Sequence, residues 1–116
     1  MINKPDEATT LFVYGSLLDP IRREKIIGRR VESMPAMLHD HEVGRAHYFH
    51  IRKRLGFNTA GSLLLNLTPR DFQVLDRYEE IPRLYTREKV EVFDEGGNPI
   101  RCWVYLPTAL TLGGER

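Results

Sequence analysis

An α+β domain built on a mixed, strongly curved sheet is the class this sequence predicts, on three observations. Strand-like segments outnumber helical ones, the helices number two, and hairpin character dominates the second half of the chain. The composition agrees with one compact domain, since 116 residues with 41% hydrophobic and 28% charged content suit a single modest core. A net charge of +1 gives no global pull toward nucleic acid or membrane, so a small-molecule partner is the default. One cysteine, Cys102, excludes an intrachain disulfide framework. With no apolar leader ahead of Leu11 and no run of roughly 18 apolar residues, a cytoplasmic protein is expected.

The first element is a short buried strand over Thr9 to Tyr14, broken by Gly15. Lacking a Cβ, Gly15 lets the amides of Gly15, Ser16 and Leu17 approach a ligand closely, and such amides bind anions. Asp19 is a good N-cap and Pro20 suits the first helical position, which predicts a helix from Pro20 to about Ile27 with Gly28 as its stop. Strand, glycine loop, helix is the order that builds an anion or oxyanion site. Further on, Ala60 to Leu67 reads as an apolar strand. Thr68, Pro69 and Asp71 then supply a cap, a first-turn proline and a first-turn acid for a second helix. Pro82 ends it. Tyr85 to Phe93 alternates as a half-buried strand, residues 95–99 form a hairpin turn, and Ile100 to Leu106 places Trp103 and Tyr105 opposite Cys102, Val104 and Leu106. Cys102 has no base nearby in sequence and reads as packing.

The second helix carries the chemistry. Its apolar face, Phe72, Leu75 and Tyr78, turns inward, which puts Glu79 at the edge between core and solvent. A carboxylate held there is half desolvated, and burial lifts its pKa toward the range in which it shuttles protons at neutral pH. Asp76, on the same side but shorter, is suited to accept bonds from the turn or from an arginine. Glu80 lies about 100° round the helix. Taken alone, the cluster also reads as a solvated helix end.

Together these stretches resemble the γ-glutamylcyclotransferase-like superfamily, which includes γ-glutamylamine cyclotransferases and plant avirulence-induced proteins. Phe12-Val13-Tyr14-Gly15-Ser16-Leu17 is similar to its signature loop, and Met34 to Leu38 to its second strand. Gly61 to Leu65 followed by Leu75-Asp76-Arg77-Tyr78-Glu79 resembles its glycine-strand, helix and Leu-Asp-x-aromatic-Glu order, with Tyr85-x-Arg87 after it. The resemblance covers Leu11 to Pro107 and narrows the fold to a small mixed β-barrel with two flanking helices, a domain over 9–107 with loosely held ends at 1–8 and 108–116. It implies Glu79 as catalytic acid and base, and a substrate-gripping loop at Tyr14, Gly15, Ser16 and Leu17. Tyr85 and Tyr105 are candidates for the pocket wall or for ordinary core. The implied reaction is cofactor-free. The α-amine of a γ-glutamyl compound attacks its own γ-carbonyl, releasing 5-oxoproline and an amine. A non-catalytic ligand-binding module and an acyl or aminoacyl transferase are the alternatives on the same fold.

The middle of the chain departs from the family. Where relatives carry a Tyr-Pro segment, this chain has His47-Tyr48-Phe49-His50-Ile51-Arg52-Lys53-Arg54. Arg52, Lys53 and Arg54 are expected in a loop at the pocket mouth, as a cationic rim or a solvated run rather than a nucleic-acid patch. His39, His41, His47 and His50 lack a cysteine or glutamate at a familiar ligand spacing, so no metal is expected.

Overall fold

The computed structural model describes residues 4–45 and 49–112. His47 and Tyr48 lie outside them, and the side chains of residues 45–50 are likewise outside the description. Among the described residues are five strands and two α-helices: β1 (Leu11–Val13), α1 (Pro20–Ile27), β2 (Ser33–Arg45), β3 (Phe49–Leu64), α2 (Pro69–Tyr78), β4 (Tyr85–Asp94) and β5 (Pro99–Pro107). The strands close into a barrel in the order β1, β3, β2, β4, β5. Neighbours are antiparallel except β1 and β5, which run parallel with Leu11 opposite Trp103 and Phe12 opposite Val104.

Strand alternation divides the apolar residues into two layers. Phe12, Tyr14, Leu38, Ile51, Leu63, Val92, Cys102 and Val104 pack together as one cluster. Leu11, Val13, Leu64, Tyr85 and Tyr105 take the opposite parity and form a second cluster with Leu17, Ile27, Phe72 and Leu75 from the helical side. Adjacent residues of β1 thus serve different layers, which is why all three are buried. Cys102 belongs to the first layer and is fully buried, which pushes its thiol up to about 12 and leaves it protonated packing. β3 passes tightly behind β1: a Cβ on Gly61 would stand 2.3 Å from the Val13 carbonyl oxygen and 2.6 Å from the Phe12 ring.

Both helices begin and end as their sequences dictate. Asp19 accepts from the Ile21 amide at 3.0 Å, and Gly28 closes α1 in the left-handed conformation at φ 90°. Thr68 and Asp71 form a reciprocal capping box at α2. At the β4–β5 turn, the Asp94 carboxylate accepts from the amides of Gly96 and Asn98. The described parts of both flanks make packing contacts. Lys89 pairs with Glu7 at 2.7 Å, the Trp103 indole donates to the Ala8 carbonyl, and the hydroxyls of Thr108 and Thr111 donate to the Leu84 carbonyl.

The expectation for Arg52, Lys53 and Arg54 is corrected by the structure. They lie within β3, not in a loop, because β2 and β3 continue as a long two-stranded arm in which Arg52 is opposite Glu42 and Lys53 opposite His41. Arg52 and Arg54, two apart and so on one face, both reach the Glu42 carboxylate, at 3.3 and 2.9 Å. Between His39 and His41 the pairing shifts register, with Asp40 (φ 58°) on β2 against residues 54–57 on β3, so plain alternation does not run from one histidine to the other. The strand expected over Ala60–Leu67 ends at Leu64 and starts much earlier. Among the described residues, no helix is long and apolar enough to cross a membrane.

Candidate active site

Where β1 runs out, the chain makes a single 3-10 turn over Ser16–Leu18 before entering α1. The amides of Leu18 and Asp19 close this turn on the carbonyls of Gly15 and Ser16, at 3.0 and 3.3 Å. The first amides of a helical turn have no partner inside it, so those of Gly15, Ser16 and Leu17 stay outside the turn's own bonds. Beneath the loop, the buried Arg23 guanidinium donates to the Leu17 and Leu18 carbonyls and to the Ser33 hydroxyl. It holds the carbonyl side of the turn against β2.

A cavity of about 390 Å³ opens beside this loop, within the range of small-molecule sites. Tyr14, Gly15, Ser16, Leu17, Glu79, Tyr85 and Tyr105 all line it. The sequence reading missed several neighbours. Arg22 projects from the first turn of α1, Tyr78 closes one side with its hydroxyl 2.9 Å from that of Ser16, and Leu84 completes the apolar wall. Tyr78 was expected in the core, yet it is 38% exposed, because α2 ends there and its last side chain reaches the cavity mouth. The signal for Arg22 was present: a cation three residues after the Asp19 cap sits one turn from the glycine loop.

Glu79 caps the C-terminus of α2, its amide bonded to the Leu75 carbonyl at 2.9 Å. Its side chain is half-buried, and its pKa is pushed up to about 7, first by burial and then by the negative charge of Asp76. Asp76 is itself held. It accepts from Arg87 Nε and Nη2 at 2.9 and 3.1 Å and from the Tyr105 hydroxyl at 2.7 Å. The Arg87 guanidinium is clamped between the rings of Phe72 and Trp103, each centroid 4.5 Å away. Burial and the bond to Asp76 keep the Tyr105 phenol neutral at any working pH, and burial does the same for Tyr14, whose hydroxyl donates to the Tyr105 carbonyl at 2.6 Å. Glu80 adopts a left-handed conformation just past the helix (φ 56°), so it leaves the helical path and pairs with Arg83 at the rim. One carboxyl group poised near neutrality thus shares the cavity with the loop of Gly15, Ser16 and Leu17 and with the neutral phenols of Tyr14 and Tyr105. Such a site can bind an anion and relay a proton.

Asp76→Asn should shift the ionisation of Glu79 downward, because the smaller of its two causes is removed, yet leave it above 4.5, because burial stays. Carbon-13 NMR of labelled glutamate reads this directly. An unchanged titration midpoint would show that Asp76 does not act on Glu79.

The family model described as Gamma-glutamyl cyclotransferase, AIG2-like, matches residues 11–115. A Methanocaldococcus jannaschii protein named as a gamma-glutamylcyclotransferase and, provisionally, an RNase is 28% identical over 102 residues, which cover 83% of this chain and 45% of that protein. The chain spans less than half the length of this relative. A solved Arabidopsis thaliana structure, 24% identical, aligns with a TM-score of 0.77 over 85% of this chain and 68% of its own. A structure of a gamma-glutamyl cyclotransferase, 20% identical, aligns with a TM-score of 0.77 over 86% of this chain and 66% of its own. At these identities the structural likeness speaks to the fold.

Proposed function

The chain belongs to the gamma-glutamyl cyclotransferase, AIG2-like family, and on that premise we propose that it cleaves γ-glutamyl amides by intramolecular attack of the substrate's α-amine. The observation that carries the reading is Glu79, whose carboxyl is poised at about 7 in the same cavity as the Gly15, Ser16 and Leu17 loop. The α-carboxylate of the substrate sits on the amides of that loop, and Ser16 donates its hydroxyl proton while accepting from Tyr78. Glu79 takes a proton from the α-ammonium. The freed nitrogen attacks the γ-carbonyl carbon to form a tetrahedral intermediate. Glu79 then gives that proton to the departing nitrogen as its bond to carbon breaks, and the second proton of the attacking nitrogen passes by way of Glu79 to the released amine, which leaves as an ammonium beside 5-oxoproline. Atoms and protons balance without a metal or cofactor.

Burial of Glu79 sets the energetics. Passing a proton from an amine of pKa about 8 to an ordinary glutamate costs roughly 5 kcal/mol, and to one at about 7 roughly 1.4 kcal/mol. The difference is a factor of a few hundred in rate if proton removal precedes the slow step.

Incubation with γ-glutamyl amides, read by mass spectrometry, tests the class. Free 5-oxoproline is the expected product. A new conjugate would mean acyl transfer to an external amine, and an unchanged ligand with a raised melting temperature would mean a binding module. The proposed substrate is a small γ-glutamyl molecule, met in the cytoplasm. Replacing Arg52, Lys53 and Arg54 together by Ser should leave kcat/KM unchanged at low and high salt, since none of the three lines the cavity and two are tied to Glu42. A loss that shrinks with salt would reinstate them as a steering rim.

A further inference from the structure

Among the described residues Arg23 is the buried arginine, 5% exposed, and its surroundings differ from those of the other cations. Arg29, Arg83 and Arg87 each reach a carboxylate of the chain. Arg23 donates to neutral acceptors instead, the Leu17 and Leu18 carbonyls at 3.2 and 3.4 Å and the Ser33 hydroxyl at 3.0 Å, and its Nε has no hydrogen-bond partner among the described residues. Bracing carbonyls requires donors, which a neutral amide side chain supplies, so the brace leaves the charge unexplained. A guanidinium keeps that charge in a protein, and burying one with no opposite charge beside it is unfavourable. Leu17 connects the cation to the inner cavity: it lines the cavity and gives its carbonyl to Arg23, whereas Arg23 is not itself part of the wall.

We propose that Arg23 is a positioning residue for the loop of Gly15, Ser16 and Leu17, the fixed counter-charge of the anion bound there, acting through the Leu17 and Leu18 peptide groups and without touching the ligand. The inference rests on the reading of the inner cavity as the γ-glutamyl site, whose anion is the α-carboxylate. A peptide group whose carbonyl is held by a cation is polarised, and its dipole is oriented before the ligand arrives. Because the guanidinium is buried, its field reaches the cavity through protein, and little of it is screened by water or salt. The exposed Arg22, which does line the cavity, differs in this respect.

The test is calorimetric binding, in Glu79→Gln protein, of γ-glutamylmethylamide and of the same compound with its α-carboxylate replaced by a carboxamide. The carboxylate is expected to bind about a hundredfold more tightly, in keeping with hydrogen bonds to a charged group, and at low and high salt alike. A preference that collapses with salt would assign the counter-charge to an exposed cation and overturn the proposal. Ser33→Asp sets a carboxylate within reach of the Arg23 Nη2 while keeping the brace, and Ser33 is exposed, so the larger side chain has room. It should raise the thermal midpoint yet reduce the preference about tenfold, as Arg23→Gln should, with the double variant no lower than either. Arg23→Lys should keep most of the preference. A merely structural Arg23 predicts another pattern, an equal loss on both compounds in Arg23→Gln and none in Ser33→Asp, and that result sinks the proposal. If Arg23→Gln fails to fold, Ser33→Asp decides. In the native chain, 5-oxoproline release together with a preference indifferent to Ser33→Asp overturns the counter-charge and leaves cyclotransfer standing. A preference that Ser33→Asp removes, with no 5-oxoproline released by the native chain, upholds the counter-charge and overturns the catalytic reading. Failure of both compounds to bind overturns both.

Discussion

Glu79→Gln is expected to remove 5-oxoproline release by a factor of about 10²–10⁴ and, at the same time, to raise the thermal midpoint at pH 8. The two effects share one cause. In the folded chain the Glu79 carboxyl ionises at about 7 rather than at 4.5, because ionisation there is opposed by burial and by Asp76. An acid whose folded pKa is raised binds its proton more tightly when folded, so its contribution to stability is complete below about 4.5 and is lost as pH rises through 7. The loss is on the order of 3 kcal/mol above that window. Glutamine keeps the volume and does not ionise. The gap between the two proteins should therefore be several degrees at pH 8 and should close toward pH 5, as differential scanning calorimetry will read. In the native protein the proton-removal limb of kcat/KM should rise with pH around 7. An active glutamine variant would end the mechanism. An inactive one with no pH-dependent gain in stability would show that the carboxyl is not held against its charge.

Gly61→Ala should destabilise the domain by about 3 kcal/mol, with urea unfolding the measurement. Its added carbon would meet a backbone oxygen at 2.3 Å, and a carbonyl in a barrel strand cannot rotate aside as a flexible side chain can. Relief requires β1 and β3 to separate. That disturbs the Leu63–Phe12 and Ser62–Val13 register from which the glycine loop departs, so the surviving folded protein should also lose affinity for γ-glutamyl ligands. A shift below about 1 kcal/mol would mean the strands have slack that the packing does not suggest.

Local chemistry made much of the fold legible. Asp19-Pro20 and Gly28 bracket α1, and Thr68 with Asp71 starts α2, because caps and prolines act within a turn of the residues they govern. The 95–99 turn and the alternation across Cys102, Trp103 and Tyr105 are equally local. The β2–β3 arm was not legible beyond its base. From His39 to Asn58 the ribbon carries His, Asp, Glu, Arg and Lys in place of an apolar alternation, and its described residues are exposed or half-buried apart from Ile51, which reaches the core, so the period-two signal fades. Its cohesion comes from backbone pairing and from Glu42 bridging Arg52 and Arg54, which is visible only once the register is known. In the candidate site, Glu79 stood out at the edge of the apolar face of α2 and the loop by its glycine, while the roles expected of them came from the family resemblance. Of the Asp76, Arg87 and Tyr105 cluster, the sequence offered Asp76 as an acceptor for an arginine but not its partners, because these come from β4 and from β5, whose Tyr105 is 29 residues on.

The parallel pairing of β1 with β5 has a consequence for how the molecule is made. Tyr14 and Tyr105, whose hydroxyl and carbonyl are bonded, stand 91 positions apart in the chain. β1 has only three residues, and its two neighbours in the barrel are β3 and β5. Until β5 is synthesised, β1 has one partner and the barrel a missing wall. Closure entropy grows only slowly with loop length, but it must be met before the non-local contacts form, so folding is expected to be slow for a chain of this size. Before β5 arrives the β2–β3 arm and α2 can form, with β1 paired to β3 on one side only. The cavity, with Tyr14 on one side and Tyr105 on the other, then appears in a single late event when the last strand docks.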